Sequence, residues 1–241
     1  MTTSIDLSQV TLRELNKRLH ETDEGRFVVR NPRGAHALAV GITTPVTVDV
    51  EGSVGYFCAG MNMTGTVRVD GNAGTGLAEN IMSGLVRITG NATMSAGATG
   101  HGGLVVIEGN AGARCGISMK GVDIVVGGNV GHMSAFMAQA GNLVVLGDAD
   151  HDLGDSIYEA EVFVRGKVAS LGSDCVEKEM TPQHLDTLSR LLEAAALPAG
   201  TMSAGTMSAE PGDFRLYGSA RELYNFHVDD VDAAAAAKGK P

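Results

Sequence analysis

Leu104-Val105-Val106-Ile107-Glu108-Gly109-Asn110-Ala111-Gly112-Ala113-Arg114-Cys115-Gly116 is the stretch that decides the fold, because its pattern returns at a fixed interval. Its Gly109 is one of seven anchors, Gly52, Gly71, Gly90, Gly109, Gly128, Gly147 and Gly166, each 19 residues apart with no insertion. A period near 20 that never slips marks one turn of a solenoid, since an extra residue in any copy would push later side chains out of their stacks. Four residues before the anchors stand Val48, Val67, Val86, Val105, Ile124, Leu143 and Val162. Two before them stand Val50, Val69, Ile88, Ile107, Val126, Val145 and Val164. Branched residues at i and i+2 that end at a glycine turn are the period-2 mark of a strand with one buried face. A leucine-rich repeat is excluded, because no copy carries the leucine and asparagine ladder of that architecture. The pattern predicts an all-β fold, a single-stranded right-handed parallel β-helix of about seven 19-residue turns, with N- and C-terminal helices.

The remainder of each turn agrees. Two residues past the anchors come Val54, Ala73, Ala92, Ala111, Val130, Ala149 and Val168, small aliphatics facing inward at a corner. Seven past them come Ala59, Ala78, Gly97, Gly116, Ala135, Gly154 and Ser173, where a tight turn and a close neighbouring rung admit only small side chains. Glycine recurs thirteen past the anchor at Gly65, Gly84, Gly103 and Gly141, with Gly121 one place early. The 33 glycines among 241 residues therefore read as corners.

The period divides the chain. Residues 1–26 form an N-terminal capping region whose helix, 11–21, opens on the capping box Thr11 and Glu14 and carries Leu12, Leu15 and Leu19 on one face. Residues 27–180 are the β-helix. Residues 181–198 form a second helix, with Thr181 as N-cap, Pro182 at its first position and Leu185, Leu188, Leu191 and Leu192 on one side. Residues 199–213, with the word Thr-Met-Ser-Ala written twice, are a linker. Residues 214–241 are a tail that gathers Phe214, Tyr217, Tyr224 and Phe226, aromatics suited equally to anchoring a partner and to folding back on the chain's own β-helix.

Composition and motifs exclude several functions. A net charge of -10 without a basic patch argues against nucleic acid and anionic membrane as partners. No apolar leader and no run of membrane-spanning length is present, so the cytoplasm is the expected location. Cys58, Cys115 and Cys175 are too far apart to form a thiolate cluster, and Cys58 and Cys115 share a small-residue core column. The N-terminus Met1-Thr2-Thr3 offers no nucleophilic cysteine of the kind a class II amidotransferase needs. No catalytic residue and no bound cofactor is expected. Asp148, Asp150 and Asp152 imitate the start of a calcium loop, but Leu153 stands where its sharp turn needs glycine. His132 and His151 share a column on adjacent rungs, and with Asp150 they are the metal-ligand candidates. Three residues before the anchors, on the outward face, Asp49, Arg68 and Arg87 give way to Val106, Val125, Val144 and Phe163. That apolar stripe requires a cover, supplied either by the chain's own second helix or by a partner subunit, which makes these four residues partner-interface candidates beside the tail aromatics.

The spacing Gly109-x-x-Gly112-x-x-x-Gly116 on a 19-residue solenoid resembles the GXGXG domain that closes the large subunit of glutamate synthase, a domain also found as one subunit of formylmethanofuran dehydrogenase and of formyltransferase/hydrolase complexes. The resemblance covers residues 27–180. The end of that range, 170–180, and the tail 217–227 beyond it are similar to the stand-alone version, the middle chain of the three-chain N-methylglutamate synthase (methylamine–glutamate N-methyltransferase) family. That resemblance implies a structural, non-catalytic subunit in an enzyme of methylamine metabolism that converts glutamate and methylamine to N-methylglutamate and ammonia. The chain would bridge an amidotransferase-like subunit and a synthase-like subunit that carries FMN and an iron–sulfur cluster. The alternatives are the scaffold of a formyl-transfer complex and an independent metal-binding β-helix.

Overall fold

The structure, a computed structural model, describes residues 2–196 and 210–221. Its parallel strands are β1 (Thr2–Asp6), β2 (Gly25–Arg30), β3 (Val46–Glu51), β4 (Thr66–Asp70), β5 (Leu85–Ile88), β6 (Leu104–Ile107), β7 (Lys120–Val126), β8 (Ala140–Val145) and β9 (Glu161–Val164), stacked in chain order. From β3 to β9 the ladder joins residues 19 apart, as in Val48 to Val67 to Val86 to Val105. All the aliphatic residues of these two columns lie in one buried core. A second ladder of single bridges links Val54, Ala73, Ala92, Ala111, Val130, Ala149 and Val168. The fold is thus the parallel β-solenoid the period predicts. One irregularity falls on β7, where Lys120 faces Ala140 but Asp123 faces Asn142, so β7 holds one extra residue beside the early Gly121.

The first 26 residues do more than cap. Thr2–Asp6 is a strand paired to β2, with Thr2 opposite Arg26 and Gly25 opposite Val46, outside the 19-residue register. Between β1 and β2 runs α1 (Leu12–His20), opened by the Thr11–Glu14 capping box. Leu15 and Leu19 are fully buried in the core. Asn16 clamps the next turn, its Nδ2 donating to Ala37 O (2.9 Å) and its Oδ1 accepting from Ala39 N (2.9 Å). Helix α1 therefore covers the open N-terminal end of the stack.

An asparagine ladder, contrary to the sequence reading, is present one residue past the anchors. Asn72 Oδ1 accepts from Asn91 N (2.8 Å), Asn91 Oδ1 from Asn110 N (2.7 Å), Asn110 Oδ1 from Asn129 N (2.8 Å) and Asn129 Oδ1 from Asp148 N (2.8 Å). This ladder, with Asp148 at its end, explains the five anchors from Gly90 to Gly166. A Cβ on Gly109 would lie 2.5 Å from Asn91 Oδ1 and 2.7 Å from Gly90 O, a clash that only the absence of a side chain avoids.

Opposite the strands, the turns that begin at Gly52 to Gly147 each close through an arc whose residues five, seven and nine past the anchor adopt the left-handed conformation. In the first arc these are Phe57 (φ 58), Ala59 (φ 54) and Met61 (φ 55). Their N–H groups alternate along the stack: Phe57 donates to Thr75 O and Met61 to Glu79 O on the following rung, whereas Ala59 donates to Leu38 O on the preceding one. Each arc is thereby tied to both neighbours without being a strand, and the buried middle position stays small.

The C-terminal segment closes the apolar half of the sheet's outer face. Strand β10 (Cys175–Lys178), helix α2 (Pro182–Ala195) and strand β11 (Arg215–Ser219) follow β9 in the chain, and β11 lies antiparallel between β9 and β10. Leu188, Leu191 and Ala195 of α2 pack with Phe214 and Leu216 on Val106, Val125, Val144 and Phe163. Arg87, read from sequence as solvent-facing, instead holds the end of α2, with Nη1 2.5 Å from Ala195 O and Nη2 2.7 Å from Glu108 Oε1. A guanidinium at a helix C-terminus satisfies carbonyls that the helix itself leaves unpaired.

Candidate functional site

Six of the partner-interface candidates are already occupied by the chain itself. Val106, Val125, Val144 and Phe163 are fully buried, and Phe214 and Tyr217 are 5% and 2% exposed. The reason is the position of β11 on the final rung, where Leu216 faces Phe163 and Tyr217 faces Val162. Alternation then sends Phe214 and Leu216 to the outer cluster under α2 and Tyr217 into the solenoid core. Tyr224 and Phe226 lie outside the described residues.

The metal candidates do not converge. His132 and His151 are on adjacent rungs, with Met133 N donating to His151 O (2.9 Å), and both are exposed. His151 instead meets Ser170 Oγ (3.3 Å) and Asp150 (3.9 Å). Among the described residues no group of three histidine, cysteine or acidic side chains is placed to hold a metal. Asp148, at the head of the calcium-like run, extends the asparagine ladder by accepting from Lys167 N (2.7 Å).

A cleft of about 380 Å³ lies where the last rung meets β10, β11 and the start of α2, lined by Glu161, Lys178, His184, Tyr217 and Arg221 among others. Several of its polar groups answer one another. His184 accepts from Thr181 N at Nδ1 (3.0 Å) and approaches Glu161 through Nε2 (3.1 Å), while Arg221 pairs with Asp174.

The cysteines are core residues. Burial pushes the thiols of Cys58 and Cys115 up to about 12 and that of Cys175 up to about 11. A raised thiol pKa leaves the fold's share of stability whole below the ordinary value of 9.0 and lost as pH rises from there toward 12. At about pH 8 the folded chain should resist an aromatic disulfide reagent and all three thiols should react after unfolding. Prompt modification of Cys58 or Cys115 in the folded state would contradict their burial.

What remains exposed is the arc flank. Tyr56 (50%), Phe57 (47%), Met61 (52%) and Met94 (46%) stand out on it, and no sequence column predicted them because they are spread over repeat positions four, five and nine, none of which is apolar in every rung. Together these features define a parallel β-solenoid that covers the apolar half of its own sheet face and leaves its arcs bare. Over 233 residues the chain is 60% identical to Protein GlxC of Rhizobium meliloti (strain 1021), an alignment spanning 95% of this chain and 98% of that protein. It belongs to the family of that protein. No family model matches the chain. Among the described residues no helix is long and apolar enough to cross a membrane.

Proposed function

We propose that the chain is a structural, non-catalytic subunit of a glutamate synthase-like assembly, and within that class of an N-methylglutamate synthase. It is a stiff spacer between an amidotransferase-like chain and a chain that carries FMN and an iron–sulfur cluster. The observation that supports this reading most is the 19-residue solenoid with its GXGXG spacing, in which the central rungs are hydrogen-bonded each to the next through strand, asparagine ladder and arc. Such a body resists bending, as a spacer must. The inert burial of its three cysteines agrees with a non-catalytic role.

The isolated chain should be colourless, should bind no stoichiometric FMN and should not hydrolyse glutamine. Co-expression with the amidotransferase-like and flavin-bearing chains of its own organism should give one complex with flavin and iron–sulfur absorbance. Stoichiometric flavin on the isolated chain would overturn the reading. A stable complex with formyl-transfer subunits and no flavin would replace it with the formyl-transfer scaffold.

A further inference from the structure

The apolar half of the sheet face is covered by α2 and β11, and its other half presents the charged Arg26, Asp49 and Arg68, so an apolar partner surface must meet the solenoid elsewhere. Among the described residues nine large hydrophobic side chains are exposed, and eight of them lie on the arcs, four to eleven residues past an anchor. Phe57 (φ 58), Met61 (φ 55) and Met137 (φ 52) hold the left-handed conformation, which costs a residue other than glycine about 1–2 kcal/mol. The same positions are filled by Gly76 and Asn80 in the second arc, residues that tolerate it. Bulky apolar side chains at strained, half-exposed positions gain neither burial nor relief of strain, so their identity is not set by the fold.

The aromatic end of the flank is also held in place. The Tyr56 ring stacks on His36 with centroids 4.5 Å apart and meets Phe57 edge-on at 6.5 Å. Both rings lie over glycines of the next rung, for a Cβ on Gly74 would come within 2.7 Å of Tyr56 and one on Gly76 within 2.6 Å of Phe57. Rings fixed before docking lose little entropy on docking.

Charge tells what fits there. The five arcs 55–64, 74–83, 93–102, 112–121 and 131–140 contain one acid, Glu79, and two bases, Arg114 and Lys120, in a chain with 28 acidic and 18 basic residues. Depletion of charge with enrichment in methionine and aromatics is the composition of an interface core. The sixth arc, 150–159, changes abruptly and carries Asp150, Asp152, Asp155 and Glu159. A second copy laid parallel would set these four acids against themselves. Laid antiparallel, it would bring them over residues 34–45, which hold no lysine or arginine. At about 4.8 Å per rung the five neutral arcs run on the order of 20–25 Å, the length scale of a standard protein interface.

We propose that this arc flank docks a partner protein of different sequence, whose surface is apolar across the middle and basic at the end that meets the sixth arc. The inference rests on the subunit reading above and adds the face by which the solenoid is held. The test uses the full chain co-expressed with the amidotransferase-like and flavin-bearing chains. Phe57→Glu and Met61→Glu should each weaken the complex about 30-fold, as hot-spot residues do, with melting temperatures near that of the parent chain. Asp152→Lys should weaken it and flatten its salt dependence, whereas Arg13→Glu on α1 should leave it unchanged. A complex of unaltered affinity in both Phe57→Glu and Met61→Glu overturns the docking face while leaving the subunit reading intact. Failure of any complex to form overturns the subunit reading, and sedimentation of the chain alone then decides the flank: a dimer dissolved by Met61→Glu makes the occupant a second copy, and a monomer at all concentrations leaves the flank without a partner. Either result overturns the docking proposal.

Discussion

Val105→Asp and Ile107→Asp should each cost the chain roughly 4 kcal/mol or more, while Arg68→Asp should change its stability by less than about 1 kcal/mol. Val105 and Ile107 are fully buried in β6, within columns of aliphatic residues that offer a carboxylate no donor. Arg68 stands on the opposite face of the sheet, its side chain 48% exposed and 3.6 Å from Asp49. Its loss therefore removes a solvent-screened pair of small worth. Urea or thermal melts of the three variants check the assignment of faces, and equal losses at all three positions would refute it.

A chain ended at Gly200 should melt far below the full-length protein. Truncation there removes β11, which lies between β9 and β10, and so strips the last rung of its partner and uncovers Phe163. Phe214→Ala by itself should cost about 3–5 kcal/mol, the usual loss for a large buried aromatic. For a chain of this size that corresponds to a fall on the order of 10 °C in melting temperature. If the truncated chain melts with the full-length one, the segment that contains Phe214 contributes nothing to the fold and its place in the outer cluster is wrong.

The solenoid was legible because its evidence is periodic: each inward column repeats a side-chain class at a constant spacing, and one insertion would have destroyed the signal. Helix α1 was legible from its Thr11–Glu14 box for a different reason, the chemistry of its first turn. Strand β11 escaped because antiparallel pairing across a linker leaves no trace in a 19-residue period. Its aromatics fit an anchor and a segment folded back on the solenoid equally well, and Phe214 and Tyr217 take the second course as parts of two cores. The asparagine ladder was written plainly at Asn72, Asn91, Asn110 and Asn129, but a polar column invites no burial argument and so passed unread. The arc flank could not be read at all. Its large side chains are scattered over several positions of the repeat, and nothing in the sequence says that Phe57 and Met61 adopt a conformation usually left to glycine.

The reversed direction of β11 has a consequence for how long such a body can become. A stack of identical parallel rungs has no intrinsic stopping point, and a bare final rung is a template on which another molecule could continue the pile. Here the strand laid on β9 runs the other way, and the outermost strand, β10, presents Glu177 and Lys178 to solvent. A newcomer at that end would meet the wrong polarity and a charged border. The chain is thus a ruler with its final mark built in, its length set by the number of rungs written in its own sequence.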